Sequence, residues 1–144
     1  MLLAALAAFA LIRGNSGTSS SSDPDDRAQV ARGSAVYAEA CASCHGARLE
    51  GQADWRSPNP DGTYPAPPHD AGGHTWHHPD GLLLRYIRLG GAEALTGIPG
   101  VRSAMPGFSD TLADQDIRNV LAFIKAQWPD EMRAYQRAAT ENEG

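Results

Sequence analysis

A chain of 144 residues, 42% apolar and 20% charged, has room for one compact core plus a tail. Its net charge of −5, its only lysine at Lys125 and its lack of any basic run exclude the clustered positive charge that nucleic-acid binding needs. Aromatic residues make up only 7% of the chain, so a small domain of this composition would gain from the extra stability of a buried cofactor.

The first twelve residues, MLLAALAAFALI, are apolar and lack a basic leader region. As a helix they would reach about 18 Å, short of a hydrocarbon core of about 30 Å. They read as a signal-peptide remnant, the end of a membrane anchor or an interfacial segment, with export or anchoring favoured. Residues 13–22, RGNSGTSSSS, form a Ser/Gly-rich flexible linker.

A domain is expected over 23–139. Asp23 reads as a helix cap and Pro24 as a first helical residue, giving a helix over about 24–40. Val30, Gly33, Tyr37 and Ala40 share one face of it. Residues 46–78, rich in Gly, Pro, Asp and His, have no sustained period and read as loop. A loop of that length is unusual in a small domain unless it wraps a large group. Pro79 opens a second helix over about 79–89, which Gly90 and Gly91 end. Residues 92–112 read as loop and contain Met105-Pro106-Gly107-Phe108.

The clearest helical pattern, Ile117, Val120, Leu121, Ile124 and Trp128, covers about 114–128 and stops at Pro129. A surface helix to about Ala139 and a polar tail at 140–144 complete the chain. No segment reads as a convincing strand and no repeat is visible, so the fold class is all-α.

The two cysteines fall in Cys41-Ala42-Ser43-Cys44-His45, the C-x-x-C-H spacing of c-type haem attachment. Two thiols on one turn can each add to a haem vinyl group, and the next residue then offers an imidazole to the iron from the same side. A redox dithiol would need a βαβ context, which is missing. A zinc site would need about four ligands, and the downstream histidines leave that reading open.

A second axial ligand separates an electron carrier from a catalyst with an open iron. Met105 is the best candidate. Met132 follows the last helix and Met1 lies in the tail, while Pro106 holds Met105 out of the α region on a stiff loop. His69, His74, His77 and His78 offer alternatives: a distal ligand, a second metal site, or, as the plainer reading, a polar loop with one histidine near a haem propionate. No Ser/His/Asp or paired-carboxylate constellation suggests a catalytic residue.

In order, GSAVYAEACASCHG (33–46), PAPPHD (65–70), HTWHHPDGLLLRYIRLGG (74–91), MPGF (105–108) and IRNVLAFIKAQWP (117–129) resemble the bacterial, exported members of the monohaem class I cytochrome c family. The resemblance covers about Arg27 to Pro129. It implies a small all-α fold around one covalently bound haem c, with its first and last helices crossing. Cys41 and Cys44 would then hold the haem, and His45 and Met105 would be the axial ligands. Gly33 and Tyr37 would pack on Val120 and Phe123. The carbonyl of Pro67 or Pro68 would accept a hydrogen bond from His45, and Trp76 and Tyr86 would lie among the haem surroundings.

Two features depart from the family pattern. Ala113 replaces the usual Ser or Thr cap of the last helix, and Gly46 to His78 form a long insert.

The implied function is single-electron transfer between redox proteins in the periplasm, without enzymatic activity and with an N-terminal membrane tether left open. The alternatives are a haem subunit of a larger oxidoreductase, and an enzyme or sensor with an open iron site.

Overall fold

The computed structural model describes residues 20–143. The expected export or anchoring segment and most of the linker lie outside them. Among the described residues no helix is long and apolar enough to cross a membrane.

Helix α1 spans Arg27–Ala40. Its cap is Asp26 rather than Asp23, because the Asp26 carboxylate accepts from the amides of Ala28 at 2.9 Å and Gln29 at 3.2 Å. Those bonds hold the Asp26 carboxyl below its usual range. Asp23 serves the preceding turn, where its Oδ1 accepts from the Asp25 amide at 2.9 Å. A second, short helix, α2, follows at once over Ala42–His45.

Helix α3, Asp80–Leu89, starts one residue later than its sequence suggested, with Pro79 as its cap residue. Gly90, at φ 79°, ends it in a conformation that favours glycine. The stretch expected to be loop from 92 instead includes a single helical turn, α4, at Gly91–Ala94. Helix α5 covers Asp114–Ala126 and helix α6 covers Asp130–Glu141. Trp128, assigned to the last strong helix by its periodicity, sits in the turn between α5 and α6 and is still 3% exposed.

The insert and the loop before α5 correct the strand-free expectation. Strands β1, Thr63–Tyr64, and β2, Arg102–Ser103, pair in parallel, Thr63 with Arg102 and Tyr64 with Ser103. Two residues are too few to show an alternating pattern. A 3₁₀ turn at Thr75–His77 is the insert's other regular piece. The remainder is helical or irregular, so the all-α class stands.

The core forms where α1 crosses α5. Val36, Tyr37, Leu49, Val120, Ile124 and Trp128 make one buried cluster. Each large apolar side chain so buried contributes roughly 1.5–3 kcal/mol. The rings of Tyr37 and Phe123 lie 5.3 Å apart across the crossing. On the far side α6 packs against the 3₁₀ turn, and Gln136, fully buried, donates to the His78 carbonyl at 3.2 Å and to Asp80 at 2.6 Å.

Candidate functional site

The end of α1 delivers the cysteine motif as one tight turn. The Cys41 amide donates to the Tyr37 carbonyl at 2.9 Å, and the Cys41 carbonyl accepts from the amides of Cys44 at 3.1 Å and His45 at 2.9 Å. Helical spacing thereby brings both thiols and the imidazole to the wall of one cavity. The thiols are free, Cys44 exposed and Cys41 half-buried. Burial, with a smaller contribution from Cys44, pushes the Cys41 thiol up to about 11.

His45 is 6% exposed. Its Nδ1 lies 2.9 Å from the Pro67 carbonyl, so Nδ1–H donates and Nε2 keeps its lone pair for a metal. Burial holds the imidazole below its ordinary pKa, and the bond to Pro67 opposes that shift in part. Pro68 is buried and does not line the cavity; its carbonyl faces the Thr75 hydroxyl at 3.4 Å.

The cavity measures about 740 Å³. Its walls come from α3 (Leu83, Tyr86, Ile87), from α5 (Val120, Leu121, Ile124), from the insert and from the segment 101–106. Met105 is in that segment and on that wall. Its amide donates to Ser103 Oγ at 3.2 Å and its carbonyl accepts from the Gly91 amide at 3.0 Å.

Although the chain carries 17 acidic residues, no described Asp or Glu lines the cavity, whereas Arg56 and Arg102 do. An apolar chamber of this size fits haem c. Two thiols and an imidazole share its wall, a thioether sulfur is available, and two guanidiniums could meet the two carboxylates of the group.

The other predicted residues divide. Tyr86 lines the cavity. Trp76 does not: it turns toward α6, its ring 3.6 Å from His77 and 5.5 Å from Tyr135, where it joins the apolar packing. His77 goes with it. His69, His74 and His78 line the cavity, and His74 stacks on Trp55 at 5.2 Å. His69 stacks on His45 with ring centroids 4.1 Å apart. A ring lying against His45 cannot also bind the opposite side of a metal that His45 holds. Among the described residues no group of three or more His, Cys, Asp or Glu side chains could hold a further metal ion.

Trp55, Arg56 and Arg102 escaped the sequence reading. Trp55 and Arg56 stand in an irregular segment and Arg102 in a two-residue strand, so none of them carries a periodic signal. Arg56 lies 4.0 Å over the Trp55 ring, a cation–π contact that no spacing rule announces.

Residues 30–128 match the family model described as Cytochrome c. No curated protein and no solved structure matches the chain.

Proposed function

Because the chain belongs to the cytochrome c family, we propose that it carries single electrons between redox proteins in the periplasm through a haem ligated by His45 and Met105. Membership itself makes it a c-type cytochrome of electron transfer with covalently attached haem c. The finer reading is supported above all by one observation: Cys41, Cys44, His45 and Met105 line a single cavity that no described carboxylate enters.

Bound there, haem c supplies a one-electron Fe(III)/Fe(II) couple. Cys41 and Cys44 would hold it through thioethers. The Pro67 carbonyl fixes the His45 tautomer and raises the basicity of the ligating nitrogen. Met105 would offer its thioether sulfur as a second ligand, which would keep small molecules off the metal and favour a higher potential than a second histidine would. Leu83, Ile87, Val120, Leu121 and Ile124 exclude water, and that low dielectric disfavours the extra positive charge of the oxidised state. Arg56 and Arg102, which line the cavity, would offer positive charge to the carboxylates. No protein nucleophile or general base is needed for this chemistry.

The apolar start of the sequence and its Ser-rich linker support export, as does the family's typical extracellular or periplasmic setting. The decisive experiment is export of the full chain with haem-maturation machinery, followed by acid–acetone extraction. Pigment retained by the wild type and lost from a Cys41→Ser/Cys44→Ser double variant is the expected result. Colourless mature protein, or pigment fully extracted from the wild type, refutes the reading.

A further inference from the structure

The insert places a second imidazole against His45, and nothing in the attachment motif requires one there. The rings of His45 and His69 are stacked with an interplanar angle of 21°. His69 is held at three points. Its amide donates to the Leu49 carbonyl at 2.8 Å, its carbonyl accepts from Trp128 Nε1 at 2.7 Å, and its Nδ1 lies 2.8 Å from Thr75 Oγ1. Thr75 is itself 6% exposed. Leu49 is buried and adopts φ 65°, an unusual backbone for leucine, and from there its carbonyl receives the amides of both His69 and Asp70. Backbone strain of this kind persists only where the surroundings over-determine it.

A single hydrogen bond to Pro67 pins one atom of the His45 ring. It resists only weakly a twist of the ring about its Cβ–Cγ bond. A flat partner fixed by its own bonds removes that motion. We propose that His69 is a positioning residue, which sets the rotation of the His45 imidazole plane about its bond to the iron. This rests on the reading of His45 as iron ligand. His69 also lines the cavity, but its ring lies against that of His45, and it is through this ligand that it acts.

The plane of an axial imidazole governs how unpaired spin spreads over the porphyrin. The order of the hyperfine-shifted haem methyl resonances in the proton NMR spectrum of the oxidised holoprotein therefore reports it. The variants are His69→Leu, which removes the ring, His69→Phe, which keeps a ring for the stack, and Thr75→Val, which removes the anchor.

His69→Leu is expected to reorder the methyl shifts, His69→Phe to keep the wild-type order, and Thr75→Val to narrow their spread. Wild-type methyl order in His69→Leu overturns the proposal. A changed reduction potential with unchanged methyl order also overturns it, by assigning His69 to local polarity alone. Should His69→Leu fail to mature, Thr75→Val decides: a narrowed spread supports the proposal and an unchanged one sinks it. Failure of the underlying reading looks different, since the wild type itself would then lack a low-spin, six-coordinate spectrum.

Discussion

The Cα of Gly33 lies directly against the backbone carbonyl of Asn119, so that any side-chain carbon at position 33 would collide with it. This contact sets how closely α1 and α5 approach, and both helices also carry cavity-facing residues. Beside it Arg32 and Asp116 form a forked ion pair, Nε at 2.8 Å and Nη2 at 3.0 Å. The neighbouring atom is backbone, which cannot swing aside, so Gly33→Ala must separate the helices. A loss of about 3 kcal/mol is expected, at the upper end for overpacking a core. Denaturant unfolding of the holoprotein measures it, and a variant as stable as wild type would mean the crossing is looser than it looks.

Met105→Ala should leave the haem attached while opening the sixth position. The oxidised protein should lose its methionine-to-iron charge-transfer band near the red end of the spectrum, and the reduced protein should bind carbon monoxide rapidly. Met132→Ala, at a half-buried position beyond the cavity wall, should change neither. Retention of the band in Met105→Ala would assign the sixth ligand elsewhere.

Arg56→Gln and Arg102→Gln each remove a positive charge from a chamber that holds no described carboxylate. The oxidised centre carries the extra charge, so losing a nearby cation favours it. Each variant should therefore lower the reduction potential, on the order of tens of millivolts for a partly screened charge. Potentiometric titration measures the shift, and an unchanged potential would place the guanidiniums away from the cofactor. Arg102→Gln also gives up the bond from Nη1 to the Asp61 carbonyl at 2.6 Å, so its effect should include a looser insert.

Burial holds His69 well below the ordinary histidine range, and His74 and His78 are lowered for the same first reason. In the unfolded chain these groups take up protons near their unperturbed pKa of about 6.5, while the folded protein resists protonation until lower pH. Below about pH 6.5 the unfolded state thus binds more protons, and folding stability falls as pH drops. Guanidinium midpoints should be level from pH 8 to about 7 and decline toward pH 5. The decline should be shallower in His69→Leu. An equal slope in that variant would mean the His69 ring is hydrated in the folded protein.

The elements legible in the sequence were those whose signal is periodic or covalent. The apolar positions of α5 gave the helix and its buried face, since Ile117, Val120, Leu121 and Ile124 repeat at helical spacing. The cysteine spacing gave the attachment turn. Cap positions slipped because Asp23 and Asp26 are chemically equivalent, and only the backbone decides which one meets free amides. The packing of Trp76 toward α6 escapes the sequence for a similar reason: a large apolar ring in a loop has no period to say whether it faces a cavity or a neighbouring helix. The choice of Pro67 over Pro68 depends on which carbonyl the turn aims at His45, information carried by the bonds that the Leu49 carbonyl accepts and the Gln52 amide donates rather than by either proline.

The two-residue ladder of Thr63–Tyr64 with Arg102–Ser103 joins the insert to the segment bearing Met105. Thirty-odd residues that look like a dispensable surface embellishment are thereby spliced to the opposite rim of the chamber. A deletion confined to the insert would be felt at the sulfur, and transplanting the methionine segment into a shorter homologue would leave its neighbour behind. The two stretches form one structural unit, though they lie far apart along the chain.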